Sequence, residues 1–198
     1  MNARNTVMML LMIGSLLMLS GCGINNIPTL DEQVKANWAQ VENQYQRRAD
    51  LVPNLVSTVK GYAAHEKETL QAVVEARAKV GSMQVDSSIL NNPQQLKQFE
   101  AAQSQLSSAL SRLMVVVERY PNLKANQNFL ALQSQLEGTE NRIAVARRDF
   151  IQSVSAYNTE IRTFPGRIWH SLLYSDMPIR ETYEATTSGA EEAPKVEF

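Results

Sequence analysis

Cysteine is almost missing: the 198 residues contain one, Cys22. A single thiol builds neither an internal disulfide framework nor a cysteine zinc cluster. Two histidines leave little material for a histidine metal site. Glycine (8) and proline (7) are sparse and aromatics are only 7%, which argues against an all-β fold with many tight turns. There is no excess of positive charge, since 19 Lys and Arg face 20 Asp and Glu, so nucleic acid is not expected as a partner. No Gly-rich phosphate loop and no Gly-x-Ser-x-Gly nucleophile turn occurs. These absences tilt the reading from metal, redox and nucleic-acid chemistry towards a structural or interaction protein.

The first residues are unlike the rest. Arg4 is the only charged side chain before Asp31, and Val7 to Leu19 is an apolar run broken only by Gly14 and Ser15. That run is too short to span a bilayer comfortably, because a spanning helix needs about 20 residues. A basic start, a short apolar core and small residues at its end make a secretory signal. It ends Leu19-Ser20-Gly21-Cys22, which looks like a bacterial lipobox. Small side chains at Ser20 and Gly21 suit the processing peptidase, and the Cys22 thiol accepts the diacylglyceryl group. Two or more acyl chains such as palmitate hold a protein stably, at about 0.8 kcal/mol per buried CH₂. The expected product is a domain anchored through Cys22 to membrane lipid on the extracytoplasmic side of the cell envelope. Gly23 in place of Asp favours the outer membrane where two membranes exist.

The remaining chain reads as helical. Thr29 and Glu32 have the spacing of a capping box. Val34, Val41, Leu55 and Tyr62 fall on a seven-residue repeat with Arg48 between them, and Trp38, Tyr45, Val52 and Val59 form its companion row. Leu70, Val73, Val74 and Val80 continue the stripe less strictly. A helix over 29–80 is expected, with Pro53 and Gly61 as its weak points. Gly81 to Pro93 reads as a loop. Asn92 and Pro93 start a second helix carrying Leu96, Phe99, Leu106, Leu110, Leu113, Val117 and Tyr120, ended by Pro121. Asn122 or Asn126 starts a third, in which Phe129, Leu136, Ile143, Phe150, Tyr157 and Phe164 keep an unbroken heptad until Pro165-Gly166. Glu181 to Phe198 has five Glu against one Lys and reads as an extended or disordered acidic tail.

The expected fold is all-α: an elongated antiparallel up-and-down bundle of three long helices. At 1.5 Å per residue a 29–80 helix is roughly 78 Å long, against about 42 Å for 93–120. Either the first helix overhangs as a stalk, or it breaks near Pro53 or Gly61 and supplies a fourth element. The organisation is then 1–21 signal peptide, 22–28 lipidated Cys and linker, 29–166 bundle, and 167–198 acidic tail.

Three stretches resemble the LemA family: Gln46 to Glu66 (QRRADLVPNLVSTVKGYAAHE), Ala125 to Phe129 with Leu136 to Arg148 (LEGTENRIAVARR), and Asn158 to Gly166 (NTEIRTFPG). The ending AEEAPKVEF resembles the family's terminal motif. The resemblance implies a membrane-attached, mostly helical protein, similar to a long four-helix bundle and without established enzymatic activity. One branch of the family is associated with magnetosome membranes, and others with membrane peptidases or envelope proteins. The family's usual anchor is an N-terminal transmembrane helix; here a lipobox stands in its place.

Catalytic constellations fail on spacing. His65-Glu66 begins like a zincin motif, but position 69 is Thr. Tyr62 and Arg167 stand where a di-iron bundle needs Glu before His65 and His170. No metal, cofactor or catalysis is expected. Arg48 and Glu66 interrupt the first stripe and each needs a partner from another helix, because burying a lone charge costs several kcal/mol. Buried pairing that fixes helix register is one reading; a polar patch for a partner protein, with Asp50, Pro53 and Asn54 of the same motif, is the other. The expected function is that of an interaction scaffold or adaptor contacting an envelope or membrane protein. The alternatives are membrane organisation by homo-oligomer formation and service as an accessory factor of a membrane peptidase.

Overall fold

In the computed structural model, residues 23–83 and 86–183 are described. The signal peptide, the lipobox residues Leu19, Ser20 and Gly21, the lipid acceptor Cys22 and the tail from residue 184 lie outside them. Helix α1 spans Asn26–Lys60, α2 Lys67–Gly81, α3 Pro93–Val117, α4 Pro121–Lys124, α5 Gln127–Glu160 and α6 Gly166–Leu173, with a 3₁₀ turn at Ser87–Asn91. No strand occurs among the described residues. The all-helical bundle expected from the sequence is the fold.

The break in the first stripe comes at Gly61, not at Pro53. The chain turns through residues 61–66 and returns as α2, which supplies the fourth element. This resolves the mismatch in length. With 35 and 34 residues, α1 and α5 are each about 50 Å long. They pair antiparallel in one register: Asn26 Nδ2 donates to Glu160 Oε1, Asn37 Nδ2 to the Asp149 carbonyl, and Arg142 Nε to Gln44 Oε1. The hairpin of α2 and α3 packs on α1, while the backbones of α3 and α5 stay apart.

The heptads of α1 and α5 are the core. Val34, Val41, Leu55, Trp38, Tyr45, Val52 and Val59 are buried, as are Phe129, Leu136, Ile143, Phe150 and Tyr157. The ends of both stripes depart from expectation. Tyr62 lies beyond the end of α1 and is half-exposed, its hydroxyl accepting a hydrogen bond from Asn126 Nδ2. Phe164 lies beyond the end of α5 and is 83% exposed. On α2, Ala76 is buried and Val74 exposed, so the stripe rotates onto the α3 side.

Local signals explain most boundaries. Asn92 Oδ1 accepts from the Gln95 N–H with Pro93 in the first turn, and Asn126 Oδ1 accepts from the Phe129 N–H. The capping box at Thr29 does not form. The helix starts three residues earlier, with Pro28 in the first turn where its missing N–H is not needed. Thr29 Oγ1 instead donates to the Asn25 carbonyl, and Glu32 accepts from Lys35. The expected loop at 81–93 contains the 3₁₀ turn, capped by Asp86, whose Ile89 and Leu90 enter the core.

The stretch expected as tail begins as structure. Residues 166–173 form α6, and 174–183 run as a strap over the start of α1 and the end of α5. Tyr157 donates to the Pro178 carbonyl, Asn158 Nδ2 donates to the Arg180 carbonyl, and the Arg180 N–H donates to Asn158 Oδ1. The strap's end, Tyr183, packs on Trp38 and Phe150. Gly166 makes the turn into α6: a Cβ there would lie 2.2 Å from the Glu160 carbonyl oxygen.

Candidate functional site

The core divides into two apolar clusters. One gathers Ile27 to Tyr45, the 3₁₀ turn, the first turns of α3, the C-terminal part of α5 and Tyr183. The other gathers Val52 to Ala63, α2, the second part of α3 and the first turns of α5. Between them lies a polar layer built on Arg48. Its guanidinium, 1% exposed, reaches from α1 under the gap between α3 and α5. Nη1 donates to Ser107 Oγ at 2.7 Å and to Glu140 Oε1 at 2.8 Å, and Nη2 donates to the Gln103 carbonyl at 3.1 Å and to its side-chain oxygen. The guanidinium carbon also sits 5.0 Å from the centre of the Tyr45 ring. Burial pushes the Tyr45 phenol above its usual range.

Of these partners Gln103 has a sequence signal that the heptad reading passed over. So does Thr139, next to Glu140; the threonine hydroxyl bonds the Gln135 carbonyl and Arg142 rather than Arg48. Along α3 the 3–4 spacing Leu96, Phe99, Gln103, Leu106, Leu110 has one polar member, and along α5 Thr139 falls between Leu136 and Ile143. Gln103 and Thr139 are both buried. A polar residue in the apolar stripe of three helices at one level is what a buried layer requires.

Above this layer the α3–α5 gap is open. A cavity of about 160 Å³ is lined by Arg48, Gln103, Ser107, Glu140 and Arg147 among others. It adjoins a wider groove of about 430 Å³ over Leu110, Met114 and Leu136, with Ser107 and Glu140 common to both. The upper end is polar and the lower end apolar.

The other expected residues do not join this site. Glu66 stands at the far corner as the residue before α2, where it accepts from Arg119 Nη2 at 3.0 Å and from the Tyr120 hydroxyl at 2.9 Å. It is not on the stripe of a continuous helix. Asp50 is exposed and takes a hydrogen bond from Gln46; Pro53 and Asn54 are exposed on α1. Proline at 53 leaves the Ala49 carbonyl without its helical donor. Arg77 Nε of α2 supplies one at 3.0 Å. His65 is exposed, and His170 Nε2 lies 2.8 Å from the Met177 carbonyl. Among the described residues no three His, Cys, Asp or Glu side chains gather as a metal site.

A second buried charge cluster, not foreseen from the sequence, ties the strap down. Arg180 Nη2 meets Asp31 Oδ1 at 2.6 Å, both groups nearly fully buried, with Lys35 on the other carboxylate oxygen at 2.9 Å and Asn91 bonded to Arg180. Burial pushes the Asp31 carboxyl up, but the hydrogen bonds from Arg180 and Lys35 outweigh it and leave it below the ordinary carboxylate value.

The family model for the LemA family matches residues 37–198. The chain is similar to "Magnetosome protein MamQ 2" of Paramagnetospirillum magneticum, 28% identical over 166 residues, covering 76% of this chain and 60% of that protein. It is similar to "Magnetosome protein MamQ" of Magnetospirillum gryphiswaldense, 28% identical over 160 residues, 71% of this chain and 58% of that one. "Protein LemA" of Metamycoplasma hominis is 30% identical over 118 residues, 60% of this chain and 49% of that one. The chain thus spans about three-fifths or less of the length of these relatives. With the family model covering the bundle from Asn37, in the fourth turn of α1, onward, the chain belongs to the LemA family.

Proposed function

We propose that this protein is a lipoprotein of the cell envelope, held to a membrane through Cys22, whose bundle acts as a scaffold or adaptor for another envelope or membrane protein and performs no catalysis. Family membership and likeness to magnetosome proteins support a place at a membrane. No helix among the described residues is long and apolar enough to cross one. The leader ending Leu19-Ser20-Gly21-Cys22 supplies the anchor in this reading.

The observation that carries the adaptor role is the open α3–α5 groove. Leu110 and Leu136, buried in the core, and Met114 form the floor of a trough beside the charged pair Arg48–Glu140. An apolar floor with polar groups at one end is the form in which a peptide segment or helix of a partner is bound. A photo-crosslinking residue in place of Ser111, at the groove, tests this in intact cells expressing the full chain. A discrete adduct with one envelope protein is expected there, and none from the same residue at exposed Asn54. Adducts at neither position, or only with a second copy of the chain, overturn the adaptor role. Cys22→Ser is expected to abolish incorporation of a clickable palmitate analogue and to leave precursor-sized protein; unchanged labelling overturns the anchor.

A further inference from the structure

Most exposed apolar side chains of this protein are scattered singly, which is ordinary. One group is not. Phe164 (83% exposed), Ile168, Leu172 (69%) and Leu173 all lie at the corner made by the end of α5 and helix α6. Helix α6 has two faces. Trp169 turns inward against the core cluster and His170 bonds the strap at Met177, while Ile168 and Leu172, four residues apart, point to solvent. Two exposed cations, Arg162 and Arg167, stand beside this apolar face in the sequence.

The position of this corner identifies what covers it. Residue 23, the first described, lies against it: a Cβ on Gly23 would be 3.9 Å from Pro165 Cγ, and neighbouring Asn26 is bonded to Glu160. The described chain therefore begins next to the apolar face, with Cys22 one residue earlier in the sequence and the apolar run Val7 to Leu19 before that. A lipid on Cys22, or that run itself in a bilayer, brings the face to the acyl–headgroup boundary. A short helix with apolar residues outward and arginines beside them suits that boundary: the side chains enter the lipid and the guanidiniums meet phosphates.

We propose that the Phe164–Leu173 corner is a second membrane contact, an interfacial helix that inserts into the lipid surface and fixes how the bundle stands on it. This inference rests on the anchored reading above. The occupant is lipid; a protein is the rival outcome.

The test uses the full lipidated chain in vesicles of phosphatidylethanolamine and phosphatidylglycerol. Leu172→Cys and, separately, Phe164→Cys carry an environment-sensitive fluorophore, with Val115→Cys, 70% exposed on α3, as the reference. Doxyl-labelled lipid is expected to quench the probes at 172 and 164 by about twofold or more over the reference, with emission shifted to the blue. Protein that floats with vesicles while all three probes are quenched alike overturns this proposal and leaves the anchor standing. Protein that does not float overturns the anchor and this contact with it. Shielding at 172 that occurs in native envelopes and not in vesicles overturns the lipid contact in favour of a protein.

Discussion

Arg77 completes the hydrogen bonding that Pro53 removes: its Nε, on α2, donates at 3.0 Å to the Ala49 carbonyl, the acceptor that residue 53 would otherwise use within α1. The proline is therefore an attachment point between α1 and α2. Arg77→Ala is expected to cost about 0.5–1.5 kcal/mol, the range for one hydrogen bond. In a Pro53→Ala background, where the helix repairs itself, the same change is expected to cost measurably less. Urea denaturation of the four proteins in a double-mutant cycle checks this; equal costs in both backgrounds would show that the two residues are independent.

The Arg48 layer predicts an asymmetry of shape. Arg48→Ala removes three partners' hydrogen bonds and leaves a cavity at a site 1% exposed, so a loss of about 3–5 kcal/mol is expected. Arg48→Met restores the volume; half-exposed Glu140 turns to water while the buried Gln103 loses its donor, so a smaller loss than for Ala is expected. The two unfolding midpoints decide the matter. If Met is as costly as Ala, charge rather than filling dominates.

Asp31 predicts a pH dependence. Its folded carboxyl titrates below the ordinary value of 3.8, because Arg180 and Lys35 bond the ionised form more strongly than burial opposes it. The ion pair's contribution is thus complete above that unfolded value and is lost as the pH falls through the lower folded one. Asp31→Asn is expected to destabilise the protein at neutral pH and to flatten the acid limb of its stability profile. Thermal midpoints measured from pH 7 to pH 2.5 should converge for the two proteins at the acid end; parallel curves would mean that the pair does not titrate as a unit.

Tyr183 closes the compartment around Trp38, with ring centres 6.3 Å apart. Tyr183→Ala is expected to cost about 2–3 kcal/mol and to move Trp38 emission to the red as water reaches the indole. Fluorescence of a Trp169→Phe protein isolates the signal. An unshifted spectrum would show that the strap leaves Trp38 covered by other groups.

Gly166 tolerates no side chain while its carbonyl neighbour stays in place. Gly166→Ala, with its Cβ 2.2 Å from the Glu160 oxygen, is expected to cost about 1–3 kcal/mol and to displace α6. Circular dichroism together with the thermal midpoint measures both effects.

What the sequence discloses of this fold follows its periodicity. The rows from Val34 to Val59 and from Phe129 to Tyr157 gave α1 and α5 because long amphipathic stripes average over local exceptions. Asn92, and Asn126 as one of two candidates with Asn122, were readable as caps because a side-chain acceptor three residues before a free N–H is a local device. Gly61 was one of two readable break points, and only packing separates it from Pro53: Arg77 repairs the helix at Pro53. The strap was hidden for the opposite reason. Arg180 and Tyr183 find Asp31 and Trp38 some 150 residues away along the chain, and no short-range pattern marks such partners. Arg48 was legible as an anomaly in its stripe, whereas its site required Gln103, Ser107 and Glu140 from two other helices.

The polar layer at Arg48 also governs how the protein comes apart. Helices α1, α3 and α5 thread both apolar clusters, but α2 belongs to one and the 3₁₀ turn and strap to the other. Two hydrophobic bodies strung on common helices, with a wettable seam between them, open as separate cooperative units. Amide hydrogens of the strap and the 3₁₀ turn will exchange at one free energy and those of α2 at another.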